Sequence, residues 1–150
     1  MPDCPLCQPS GGELVWEDHL CRVVRVDGAE GRAFSGYCRV VWRTHVAEMT
    51  DLDPANRRHL MNVVFAVEMA LRRLLAPDKI NLATLGNMVP HLHWHVIPRW
   101  RDDSHFPAAI WAAPAESAPA TEAGASRPGP DNVALRLAIV TAMAEEVGGA

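Results

Sequence analysis

The chain has 150 residues, 49% of them hydrophobic and 21% charged, with a net charge of -4. Roughly 70% of the unfolded surface of such a chain is buried in one domain, and the apolar fraction excludes disorder throughout. The acidic balance argues against a binder of nucleic-acid polymers or membrane surfaces, and no run approaches the ~18 apolar residues that span a bilayer.

The first residues, MPDCPLCQPSGG, lack the basic and apolar regions of a secretory signal, so a cytoplasmic protein is expected. Its four cysteines are then expected as reduced thiols or metal ligands rather than a disulfide framework. Cys4 to Ser10 is turn-rich. Glu13–Glu17 and Leu20–Val26 read as a hairpin around Asp18-His19. Gly28 to Gly36 reads as a loop, and Tyr37 to Arg43 as a strand. Asp53 then caps a helix with Pro54 at its first position. Leu60, Val63, Val64, Val67, Ala70, Leu71, Leu74 and Leu75 give this helix one apolar face, and Pro77 stops it.

Ile80–Leu85 and His91–Pro98 read as two further strands joined through Gly86-Asn87. Ala112 to Pro130 is an Ala/Pro-rich linker or loop. Asp131 caps a final helix whose apolar face is expected at Val133, Leu137, Val140 and Ala144. The expected fold is α+β: an antiparallel sheet of about five strands with one long helix, plus a C-terminal helix. Residues 1–111 form the catalytic domain in this reading, 112–130 the linker and 131–150 the helical extension.

Seven histidines are unusual for this length, and three fall in Pro90-His91-Leu92-His93-Trp94-His95-Val96-Ile97-Pro98. The alternation is that of a strand, with same-face side chains about 6–7 Å apart. His91, His93 and His95 then share one face, while Leu92, Trp94 and Val96 turn to the core. Three uses compete: a histidine-rich exposed face, a metal site, or a nucleophile. Imidazole has an ordinary pKa near 6.5, so its neutral form is abundant at neutral pH and attacks phosphorus when the other ring nitrogen is held.

His91-Leu92-His93-Trp94-His95-Val96-Ile97 resembles the signature of the histidine-triad superfamily at all seven positions. GYCRVVWRTHVAEMTDL and the CPLC start resemble that family too, and NLATLGNMVPHLHWHVIPRW is similar to bacterial members described as diadenosine-tetraphosphate-hydrolase-like. The resemblance covers about residues 4 to 111. It implies a homodimeric α+β protein that hydrolyses or transfers nucleoside monophosphates, with a small-molecule nucleotide substrate. His93 would be the nucleophile, His95 would bond phosphate oxygens, and His91 would orient the site with His45 behind it. No metal is required for that chemistry. The resemblance also places Asp27 at ribose hydroxyls, with a plain turn aspartate as the alternative, and Asn81, Gly86 and Asn87 at the substrate. Trp111 is expected either to stack on a substrate or to pack in the core. Met88 departs from the pattern, because many members carry there a Ser or Thr that helps the leaving group.

Cys4-Pro5-Leu6-Cys7 is half of a common zinc pattern. In some resembling proteins such a pair joins two histidines around structural zinc, which implies Cys4, Cys7, His45 and His91 here; an unmetallated reduced pair is the alternative. A redox role lacks the surrounding βαβ context. Cys21 and Cys38 read as core residues, His19, His59 and His105 as ordinary ones, and Arg99 and Arg101 as surface charges. Two further readings compete with the hydrolase: a non-catalytic nucleotide-binding protein of the same fold, kept open by Met88, and a zinc hydrolase using the triad as ligands.

Overall fold

Alternating apolar residues build five strands: β1 (Glu13–Glu17), β2 (Cys21–Arg25), β3 (Cys38–Trp42), β4 (Lys79–Ala83) and β5 (His93–Arg99). In the computed structural model, which describes residues 3–9, 11–116 and 127–148, they form one antiparallel sheet in the order β1-β2-β3-β5-β4. Helices α1 (Gly28–Ala33), α2 (Pro54–Leu75) and α3 (Asn132–Gly148) complete the α+β fold. Among the described residues no helix is long and apolar enough to cross a membrane.

The expected cap starts α2: the Asp53 carboxylate accepts from the Asn56 amide at 2.9 Å, ahead of Pro54. The main core lies on one face of the sheet, and two smaller apolar clusters, around Phe34 and Ile97 and around Leu6, Val24 and Val41, lie on the other. Cys21 and Val23 of β2, Cys38, Val40 and Trp42 of β3 and Val96 of β5 meet Leu60, Val63, Val64, Val67 and Leu71 of α2. The opposite face holds the odd-numbered residues of β5 and β3, including His93, His95 and Arg39.

Four expectations are corrected. The Gly28–Gly36 segment is not all loop, since residues 28 to 33 form α1. Gly31 is there for close packing: a Cβ would stand 2.1 Å from the Val26 carbonyl oxygen, inside contact distance. The last strand begins at His93, leaving His91 just outside it. Arg99 is buried rather than a surface charge, because Asp103 takes its guanidinium with two bonds of 2.6 and 2.9 Å. Asn81 Oδ1 and the Ala108 carbonyl accept from it as well.

The fourth correction concerns α3. Val133, Leu137, Val140 and Ala144 face solvent, whereas Leu135, Ile139 and Ala142 are buried. The helix is apolar nearly all round, so two stripes satisfy helical spacing and only packing against α2 and β1 chooses between them. Residues 117–126 of the expected linker lie outside the described residues.

Candidate functional site

β5 lies inside the sheet, between β3 and β4, so its backbone is fixed on both sides. That rigidity sets the His93 and His95 rings side by side, with centroids 4.8 Å apart. The His93 Nδ1–H donates to the His91 carbonyl at 2.6 Å. A carbonyl only accepts, so this bond fixes the tautomer and leaves a lone pair on Nε2. Nε2 is the free, nucleophilic nitrogen.

His95 is held differently. Its Nδ1 lies 2.5 Å from the Tyr37 hydroxyl, a contact across 58 residues of sequence. Burial pushes the Tyr37 hydroxyl up to about 12, so it keeps its proton at neutral pH. With that proton donated to Nδ1, His95 carries a hydrogen on Nε2, where it can donate to a phosphoryl oxygen. Trp111 adds an edge contact to His95 at 4.9 Å between centroids, with its own ring half-exposed.

Burial holds His93 below the usual imidazole range, the Arg39 charge adding to the effect while the His91 carbonyl opposes it. Burial likewise drives His95 down to about 3, helped by His93 and Arg39. Both rings are therefore neutral at physiological pH: one presents a lone pair and the other a hydrogen.

His91 departs from the expected row of three. It turns toward the N-terminal segment, where Arg22 anchors the Leu6 and Gln8 carbonyls at 2.8 Å each. There His91 Nδ1 lies 3.4 Å from Cys4 Sγ, 3.5 Å from Cys7 Sγ and 3.3 Å from His45 Nδ1. Cys7 Sγ is 3.3 Å from His45 Nδ1. Around tetrahedral zinc, with Zn–N near 2.05 Å and Zn–S near 2.3 Å, ligand atoms are separated by about 3.3 Å for two nitrogens and about 3.5 Å for nitrogen and sulfur. The His91 Nε2–H donates to the Trp42 carbonyl at 2.6 Å, which leaves Nδ1 as the ligating nitrogen. Donor set, separations and tautomer all fit zinc.

A second group, Asp18, Cys21 and His59, also brings donor atoms together. Its His59 Nε2 to Asp18 Oδ2 separation of 2.7 Å is a hydrogen bond, shorter than the roughly 3.3 Å edge of a metal tetrahedron. Its buried Cys21 thiol serves the core, as expected. The triad histidines are in neither convergent group as a set: only His91 belongs to one.

The remaining expected residues are spread around this centre. Gly86 has φ +71, a left-handed turn that suits glycine, and Asn87 and Met88 after it are exposed. Asp27 is exposed just before α1 and makes no side-chain cap there. Asn81 is engaged by Arg99. Sequence reasoning missed Tyr37 and Arg39; the only available signal was their same-face spacing on the strand before His45.

The HIT domain family matches residues 11–102. A histidine triad protein from Bradyrhizobium japonicum is similar in structure, with a TM-score of 0.59 and 26% identity, over 90% of this chain and 91% of that one. One from Marinobacter aquaeolei VT8 shares the fold at a TM-score of 0.64 and 24% identity, over 90% of each chain. A Zn-bound histidine triad family protein from Mycobacterium smegmatis does so at 0.58 and 20%, over 99% of each chain. An uncharacterized HIT-like protein from Saccharolobus solfataricus is 29% identical over 73 residues, 45% of this chain and about half (52%) of its own length.

Proposed function

The chain belongs to the HIT domain family, and from that premise we propose that it is a hydrolase or transferase acting at the α-phosphorus of nucleotides. The substrate classes are dinucleoside polyphosphates, as in the diadenosine-tetraphosphate-hydrolase-like proteins it resembles, and nucleoside phosphoramidates. The observation that carries the reading is the fixed tautomer of His93 beside a hydrogen-donating His95.

His93 Nε2 forms a bond to the α-phosphorus as the bond to the leaving group breaks, and the leaving group departs with its electron pair. A water oxygen then bonds to phosphorus and the phosphorus–nitrogen bond breaks. Nucleoside monophosphate and neutral His93 result, with the water's protons shared between product and solvent. The His95 Nε2–H meets the phosphoryl oxygens as charge builds on them. Asp27 binds the ribose, Gly86 and Asn87 approach the phosphate chain, and Trp111 flanks the leaving group. Met88 offers no proton, so the substrate must leave readily or take its proton from water. That same methionine, 95% exposed, is what favours the second reading, a nucleotide-binding protein without turnover.

Zinc, when bound to Cys4, Cys7, His45 and His91, would supply a structural cross-link between the N-terminal segment and the start of β5, and no catalytic step. A cytoplasmic location belongs to the same reading, since thiols are kept reduced there. A homodimer would form along β4, one of the two edges of the sheet, next to Trp111 and to the exposed Leu85 that follows the strand.

Mononucleotide release from diadenosine polyphosphates and adenosine phosphoramidates tests the proposal. Release from either class is expected, and binding of both with release from neither would establish the non-catalytic reading instead. Metal analysis of protein purified without chelators should find one zinc per chain, falling below a tenth of that in Cys4→Ser/Cys7→Ser; wild-type protein free of zinc would refute the ligand assignment.

A further inference from the structure

Three arginines stand on the triad face of the sheet, and they are not equivalent. Arg22 is committed to the carbonyls of Leu6 and Gln8, and Arg99 to Asp103, Asn81 and Ala108. Arg39 sits directly across from His95 in the β3–β5 register and from Val24 in the β2–β3 register. Its one side-chain ion pair is with Glu30 of α1, at 3.0 Å. Among the described residues its buried Nε has no hydrogen-bond partner, as is also true of Arg22 Nε. Its guanidinium thus lies one strand away from the proposed nucleophile, with one arm on Glu30.

The side chain lies between the reacting centre and α1, close enough for its charge to act on His93 and His95. Its guanidinium lies 5.4 Å from the Tyr37 ring centroid and reaches Glu30, toward the end of the sheet where β2 leads into Asp27 and α1. On its other side a Cβ at Gly11 would be 3.7 Å from Arg39 Nη1 and 3.6 Å from Leu6 Cδ2. Arg39 and Glu30 therefore border the nucleoside side of the site, with Leu6 as neighbouring apolar surface. The phosphate chain and leaving group lie on the other side, with Gly86 and Met88.

We propose that Arg39 and Glu30 together read the base of the nucleotide and select guanine over adenine. The inference rests on the nucleotide reading of the site given above. Guanine presents two acceptors, O6 and N7, that match an arginine fork, and beside them two donors, N1–H and N2–H, that match a carboxylate. Adenine presents an amino group where O6 would be and a lone pair at N1. It would set its amino donor against one arm of the Arg39 fork, leaving only N7 to accept, and an acceptor against Glu30. The pair already stands 3.0 Å apart, so donor and acceptor sets adjoin as the two edges of guanine do. A purely structural ion pair fastening α1 to β3 would make no distinction between the bases.

Calorimetric titration of the full chain with GMP and with AMP tests this. A good bidentate contact discriminates about tenfold or more, so GMP is expected to bind at least about tenfold more tightly. Arg39→Leu and Glu30→Gln should each bring the GMP/AMP ratio close to one, mainly by weakening GMP. Arg39→Lys should keep the fold and lose most of the selectivity, because an ammonium lacks the planar fork. A wild-type ratio near one, an AMP preference, or variants that keep the wild-type ratio would overturn the assignment while leaving the nucleotide reading intact. Binding of neither nucleotide would overturn both.

Discussion

On β5, Trp94 and Val96 turn toward the helices while His93 and His95 turn away, and the two sheet faces so defined are made of different material. The helix-covered face is Val, Leu, Ile, Cys and Trp, and its contribution is burial. The other face carries histidine, arginine and tyrosine tied to specific acceptors or donors, set between two smaller apolar clusters around Val24 and Val41 and around Phe34 and Ile97. One strand therefore serves both, residue by residue. Stability and chemistry are separable by position, and substitutions on the two faces should fail in different ways.

The largest effect is expected at His93. His93→Ala should reduce nucleotide release about a thousandfold or more, since the proposed nucleophile is gone, while its unfolding midpoint stays near that of wild type. Equal losses of activity and stability would break the separation of the faces. Leu60→Ala, on the opposite side, should cost about 2–5 kcal/mol in denaturant unfolding. Its kcat measured below the transition should stay within about twofold of wild type, because Leu60 packs in the core on the opposite face of the sheet.

The pH profile sharpens the comparison. A depressed histidine is stabilising only when neutral, so the fold keeps this contribution above the unfolded value near 6.5 and loses it as pH falls toward the folded value, about 3 for His95. In the pH range where the protein remains folded, kcat/KM should fall by less than about fourfold between pH 7.5 and 6.0. An ordinary imidazole, about three-quarters protonated at pH 6.0, would lose about fourfold. An acid limb centred near 6.5 would mean that burial does not set the histidines' charge. The smallest effect belongs to the solvent side of α3: Leu137→Ser should change stability by no more than about 0.5 kcal/mol. Leu135→Ser, one stripe over, should cost several times more.

How much of this was visible in the sequence depends on the range of the interaction that decides each element. The alternation from His91 to Ile97 and the Asp53-Pro54 start are local patterns, and they read directly as β5 and α2. Placing Cys4, Cys7, His45 and His91 together came from resemblance, because spacing alone does not say which distant residues meet. Tyr37 on His95 and Glu30 on Arg39 are likewise tertiary contacts with no local signature. Arg99 looked exposed because its partner, Asp103, lies in an irregular turn rather than an element. For α3 the sequence offered two stripes, and only the presence of α2 decides which is buried.

The central claim is that His93 Nε2 becomes bonded to phosphorus. Rapid acid-free quenching during turnover of a slow adenosine phosphoramidate, followed by intact-mass and peptide analysis, tests it directly. A single added adenylyl group on the peptide containing His93, absent from His93→Ala and lost on mild acid treatment, is the predicted result. Full turnover by His93→Ala, with no adduct on any histidine, would contradict the account.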